Sequence, residues 1–142
     1  MAGPKDAVDL LAQSGLAIRR EVVGADYVDR SLAEANAFSM EIQKLTMAWG
    51  WGYAWSDERL DRKTRSLLTI ALLTALDRPS ELEHHTAGAL TNGATVDEIQ
   101  AALAHATVYC GLPAGLSAFR AANAALLEAG VVQPAEEAAP IA

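Results

Sequence analysis

At 142 residues, with a net charge of −7 and 51% hydrophobic against 20% charged residues, the chain has the size of one domain with a real buried core. Its negative charge excludes non-specific binding to nucleic acid or to an anionic membrane surface, and its most apolar run, Leu67 to Leu76, is too short to span a bilayer and reads as a buried helix. A single cysteine, Cys110, excludes an internal disulfide framework and an all-cysteine metal site, and with no basic-then-apolar leader pattern at Met1 to Asp9 the expected address is the cytoplasm.

The elements follow in chain order. Asp6 to Val23 has helical composition and stops at Gly24. Ala25 to Ala35 shows little periodicity and reads as a linker. A second helix is expected over Asn36 to Met47, running into Trp49-Gly50-Trp51-Gly52-Tyr53-Ala54-Trp55, where two glycines among four aromatics predict a bent or frayed end. Asp61 is placed to cap a third helix, Arg62 to Leu76, which stops before Pro79. Ser80 with Glu83 has the capping-box spacing for a fourth helix ending at Asn92-Gly93, and Thr95 with Glu98 repeats it for a fifth reaching Cys110. Gly111-Leu112-Pro113 breaks the chain, and Pro113 suits the first turn of a sixth helix ending at Gly130. The tail, Gln133 to Ala142, is rich in Ala, Glu and Pro and is expected to be disordered. The prediction is an all-α fold of about six helices, a single domain over residues 1–132. The alanine-rich apolar surplus further predicts a surface covered by other subunits.

Three histidines and a set of arginines are the candidates for chemistry. Glu81 and His85 stand four apart, on one helix face within mutual reach. His85 shares the apolar side with Leu82 and Ala89 and is expected to point inward, with the carboxylate fixing its tautomer and favouring its protonated form. That pair makes a general acid/base unit, and equally a buried histidine satisfied by a surface glutamate. His84 is expected to face solvent. His105, four before Tyr109 and among Ala101, Ala102 and Ala106, reads by itself as core packing. Cys110 reads as an inert small hydrophobe. His84, His85, His105 and Glu81 lack the ligand spacing of a zinc helix, so no metal is expected. No glycine-rich phosphate loop follows a strand, so no nucleotide cofactor is expected either. Arg19, Arg20, Arg30, Arg62 and Arg65 precede the histidine helices; as guanidinium groups they suit carboxylates, or else surface pairs with Glu21, Asp26, Asp29 and Asp61.

Several of these stretches form an ordered set. Arg19-Arg20-Glu21-Val22-Val23-Gly24, then Val28-Asp29-Arg30-Ser31, Trp51-Gly52 with Trp55, and Thr64 to Leu72 follow one another. Glu81-Leu82-x-x-His85, Asn92-Gly93, Asp97-Glu98-Ile99 and Val108 to Ala114 complete it. In order and spacing, over about residues 14 to 129, the chain resembles the 4-carboxymuconolactone decarboxylases of the alkylhydroperoxidase D-like proteins. The resemblance implies an all-helical homo-oligomer, a trimer or hexamer, and a cofactor-free decarboxylation of a lactone carboxylate in aromatic-compound breakdown. With Cys110 alone, the dithiol peroxidase chemistry of related proteins is disfavoured. The implied roles are His85 as acid or hydrogen-bond donor, Glu81 orienting it, Arg65 with Arg19 or Arg20 holding carboxylates, and His105 with Tyr109 lining the pocket. The chain departs from the family pattern at Ala48, Trp49 and Tyr53, where charged or polar residues are usual. That exchange makes the expected pocket wall more aromatic and suits a flatter or less polar acid, polyketide-like or aromatic. The same scaffold without catalysis, as an oligomeric binding or stress protein, is the other class.

Overall fold

The computed structural model describes residues 3–135, and all of their regular structure is helical. These residues fall into two compact units that divide between Ser66 and Leu67.

The first unit holds α1 (Pro4–Val23), α2 (Ala25–Ala33), α3 (Met40–Leu45) and a π-helical segment (Thr46–Ala54) that continues α3. Helix α1 starts at a proline, whose missing N–H costs nothing in a first turn, and the Asp6 carboxylate accepts from the Gly3 N–H at 2.7 Å. Ala25 to Ala35 is largely a helix rather than a linker. Gly24, at φ +94°, turns the chain so sharply that α2 begins one residue after α1 ends, and a nine-residue helix is too short for periodicity to reveal. The expected helix from Asn36 starts later. The Asn36 side chain accepts from the N–H groups of Phe38 and Ser39, both at 3.0 Å, and this local turn delays α3 to Met40.

The stretch Trp49 to Trp55, expected as a bent or frayed end, is not frayed but departs from a regular α-helix, with the wider five-residue hydrogen bond seen where the Trp55 N–H meets the Gly50 carbonyl at 3.0 Å. Glycine permits this segment to lie directly on α1. A Cβ on Gly15 would come within 1.9 Å of the Met47 carbonyl oxygen, and one on Gly52 within 2.2 Å of the Leu11 carbonyl oxygen. Ala12, Met47 and Ala48 form the core of this contact, flanked by Val8, Leu11, Leu16 and Leu32.

Helix α4 (Arg62–Ala75) crosses the division. Asp61 caps it as expected, accepting from the Thr64 N–H at 2.8 Å and the Thr64 hydroxyl at 2.9 Å. The apolar run Leu67 to Leu76 is not uniformly buried: Ile70 and Thr74 are, whereas Leu68, Leu72 and Leu76 form an exposed stripe at four-residue spacing.

The second unit contains α5 (Pro79–Thr91), α6 (Val96–Cys110) and α7 (Leu112–Glu128). Helix α4 is closed by the left-handed backbone of Asp77, with the Asp77 and Arg78 N–H groups bonding the Thr74 and Leu73 carbonyls, and Pro79 occupies the first turn of α5, where no Ser80 side-chain cap forms. The Thr95–Glu98 capping box does form, with the two reciprocal bonds at 3.1 and 2.9 Å. Pro113 sits in the first turn of α7 as predicted. Helix α7 packs against α5 and α6 through Ala118, Ala121, Ala122 and Ala125, small residues that let helix axes approach closely. Ile70, Leu82, Ile99, Leu103 and Leu126 fill the remaining core. The tail expected over 133–142 lies outside the described residues from position 136 on.

Candidate active site

The second unit supplies the histidine candidates. Leu82 and Thr86 are buried on α5, and His85, between them in sequence, is half-buried with its Nδ1 fully enclosed. Glu81, one turn earlier, is exposed. The expectation that Glu81 would favour the imidazolium is overturned by burial. Desolvation, helped by the neighbouring His84, lowers the His85 pKa from 6.5 to about 4, and the Glu81 charge offsets only part of this. His85 is therefore a neutral imidazole at neutral pH, a hydrogen-bond donor and acceptor rather than a standing acid. His84 is half-buried rather than solvent-facing.

Helix α6 carries His105 and Tyr109 on one face, their ring centroids 5.0 Å apart. His105 is exposed, not core: the buried face of α6 runs through Ile99, Leu103 and Ala106, and position 105 lies off that stripe. Tyr109 is 79% exposed, and Cys110 is exposed as well rather than enclosed by apolar neighbours. The alanines around His105 misled because small residues are equally at home on either side of a helix.

The first unit supplies the arginines and aromatics. Arg20 is exposed and already holds a carboxylate: its Nε and Nη2 donate to Asp29 Oδ1 at 2.8 and 2.5 Å. Arg62 likewise pairs with Glu21 at 2.7 Å, and Arg59 with Asp57 at 2.6 Å. Arg65 is half-buried and staples the loop before α4, with Nη2 donating to the Asp57 carbonyl at 2.7 Å and the Leu60 carbonyl at 3.4 Å. Arg19 is different. It is only 6% exposed, its Nη1 donates to Gln43 Oε1 at 2.8 Å, and it hydrogen-bonds Tyr27. Gln43 in turn donates through Nε2 to the Ser31 hydroxyl at 3.2 Å. Sequence reasoning missed Tyr27, Ser31 and Gln43, because nothing in the spacing of three neutral residues marks them as the shell of one cation.

Of the three departures from the family pattern, Ala48 is fully buried against α1 and belongs to the core. Trp49 and Tyr53 point outward, 52% and 67% exposed, with ring centroids 6.1 Å apart in an edge-to-face arrangement. Trp51 and Trp55 form the other aromatic pair of the segment, at 4.8 Å. Among the described residues, no three His, Cys, Asp or Glu side chains gather as a metal-binding group, and no helix is long and apolar enough to cross a membrane.

Residues 40–124 match the sequence model of the carboxymuconolactone decarboxylase family. Over 108 residues the chain is 43% identical to the nitrosuccinic acid decarboxylase npaB of Metarhizium robertsii, covering 76% of each protein. Over 119 residues it is 40% identical to the 4-carboxymuconolactone decarboxylase of Acinetobacter baylyi, covering 84% of this chain and 89% of that one. Both relatives are decarboxylases. With the family pattern over more than half its length and two such relatives over most of it, the chain belongs to the carboxymuconolactone decarboxylase family.

Proposed function

We propose that the protein is a cofactor-independent carboxy-lyase that converts 4-carboxymuconolactone to 3-oxoadipate enol-lactone and carbon dioxide. Supporting this reading is the 40% identity, over 84% of the chain, to an enzyme of that activity, together with the Glu81–His85 pair on α5. In this substrate the C–C bond to the departing carboxylate breaks heterolytically. Its electron pair moves through the ring alkene into the lactone carbonyl, giving a dienolate, and one proton then adds to the carbon α to that carbonyl. The acceptor for the electrons is part of the substrate, so the protein has to bind carboxylates, stabilise the dienolate oxygen and manage one proton. A neutral, partly enclosed imidazole suits the second of these demands, because its N–H donates to the developing oxyanion without the desolvation cost of a buried charge. Glu81 orients it. Arg65 with either Arg19 or Arg20 is proposed for the carboxylates, and His105, Tyr109, Trp49 and Tyr53 for further contacts with the substrate.

A second substrate has its own support in the 43% identity to a nitrosuccinic acid decarboxylase. A nitro group on the carbon that loses the carboxylate would accept the electron pair as a nitronate, so the same demands on the protein apply. The exposed Trp49–Tyr53 pair favours, beyond both, an acid with a flat apolar portion. Assembly as a trimer or hexamer belongs to the same reading. Its support is the exposed apolar side chains Phe38, Ile42, Leu45, Trp49 and Tyr53 and the α4 stripe of Leu68, Leu72 and Leu76, which a subunit contact would cover.

The test is carbon dioxide release and substrate loss with 4-carboxymuconolactone and, separately, 2-nitrosuccinate, using the wild type and His85→Ala. Turnover of the lactone, reduced at least about a hundredfold in the variant, is the expected result. Turnover of nitrosuccinate alone would replace the substrate, and unimpaired turnover by His85→Ala would remove His85 from the mechanism.

A further inference from the structure

The first unit distributes its arginines in an unexpected way. Arg20, Arg59 and Arg62 face solvent, where water would satisfy them, and each nevertheless holds a carboxylate of this chain. Arg19, at 6% exposure, is the one that most needs a counter-charge. Among the described residues its partners are an amide and a phenol, Gln43 and Tyr27. A guanidinium presents five N–H donors in a fixed fork, and the bond to Gln43 Oε1 occupies Nη1 with a neutral oxygen of the same shape as a carboxylate oxygen. Gln43, Ser31 and Tyr27 are each half-buried, so the shell around the cation is itself partly open to solvent.

We infer that Arg19 is the receptor for a carboxylate of a small dianionic acid, and that the Gln43 side chain is a neutral stand-in which gives up its place when that acid binds. This rests on the decarboxylase reading for the identity of the acid, and it assigns to Arg19, rather than to the carboxylate-paired Arg20, the anchoring role. An incoming carboxylate replaces a neutral hydrogen bond with a charge-assisted, bidentate one in a partly desolvated setting, where such a bond is strongest. Arg19 is a binding residue on this account, and Gln43 a gate on its affinity.

The test uses succinate as a non-reacting dianion and succinamide as its neutral isostere, with thermal unfolding of the intact protein as the readout. Succinate, and not succinamide, is expected to raise the melting temperature of the wild type in a saturable way, and Arg62→Gln is expected to retain this response. Arg19→Gln should lose it. Should Arg19→Gln fail to fold, Gln43→Glu decides alone. It builds a permanent carboxylate against Nη1, so it should raise the melting temperature without ligand, weaken succinate binding at least about tenfold and raise the KM for substrate while kcat changes less. A wild type indifferent to succinate, or a Gln43→Glu variant that binds it as well as the wild type, overturns the inference. A change of oligomer size in Gln43→Glu also overturns it, since the counter-charge would then come from a second copy of the chain. Succinate binding does not require turnover. An Arg19-dependent response in a protein that decarboxylates neither candidate acid would therefore retract the substrate assignment and leave the anion site in place.

Discussion

Replacing Gly15 with alanine tests the claim that α1 and the π segment meet backbone to backbone. The added methyl carbon would lie 1.9 Å from the Met47 carbonyl oxygen, 2.6 Å from the Gly52 nitrogen and 2.9 Å from the Met47 carbonyl carbon. All three atoms are backbone, so no side chain can swing away. Helix α1 must instead move off the segment by roughly 1 Å, loosening Ala12, Met47 and Ala48 in the process. Against this stands the helix-propensity gain of alanine over glycine, about 1 kcal/mol. Overpacking against a rigid neighbour costs about 1–3 kcal/mol and sometimes more, and the core opening adds to it, so a net loss of about 2 kcal/mol is expected. Guanidinium unfolding at fixed protein concentration, followed by far-UV circular dichroism and by tryptophan emission, measures it. Gly50→Ala is the matched control: it lies in the same segment, and its added carbon meets nothing within 4 Å. It should be neutral or slightly stabilising. If the two variants agree within about 0.5 kcal/mol, close glycine packing is not what joins these elements.

Three further outcomes follow from the same structure. His85 binds its proton near pH 4 when folded and near pH 6.5 when unfolded, so the unfolded state holds more protons between these values and stability must fall as the solution is acidified across that window. The contribution is roughly 3 kcal/mol at most, and His85→Gln should show a visibly shallower loss of stability between pH 6.5 and 4 in equilibrium unfolding. Asp77 adopts a left-handed backbone, φ +50°, so Asp77→Gly should raise stability by up to about 1 kcal/mol, measured as a shift in the unfolding midpoint. Thr95→Ala removes the hydroxyl that accepts the Glu98 N–H and should cost about 1 kcal/mol by the same measurement, while Thr95→Ser should recover most of it.

What the sequence revealed, and what it did not, divides along physical lines. Caps and breakers are local, and Asp61, Thr95 with Glu98, and Pro113 all act where their residue types say they should. Helix α2 was illegible because a sharp glycine turn leaves no loop and nine residues give no clear period. The π segment was illegible because its hydrogen-bond spacing depends on how closely Gly15 and Gly52 let two backbones approach, which is a tertiary fact. At the candidate site, the position of His85 on α5 followed from a spacing of four. Its protonation state did not, since Glu81 is visible in the sequence and the burial that outweighs it is not. The burial of Arg19 was hidden for the same reason: the pair Arg19-Arg20 looks symmetric as letters, yet one side chain lies inside and the other on a carboxylate at the surface.

The π segment also bears on how such a protein can change over time. A π turn is an α-helix that has taken in a surplus residue without forming a loop. Removing one residue within Thr46–Ala54 would let its wide turns close to α geometry, so that side chains inside the segment turn about the axis while the chain beyond it keeps its direction. Here one aromatic pair, Trp51 with Trp55, lies largely inside while another, Trp49 with Tyr53, looks outward. A single-residue insertion or deletion can therefore exchange which rings meet solvent without altering the chemistry of any side chain. Length at this point of the chain is a heritable variable in its own right, and relatives aligned across it should be compared by the face each residue presents, not by its place in the column.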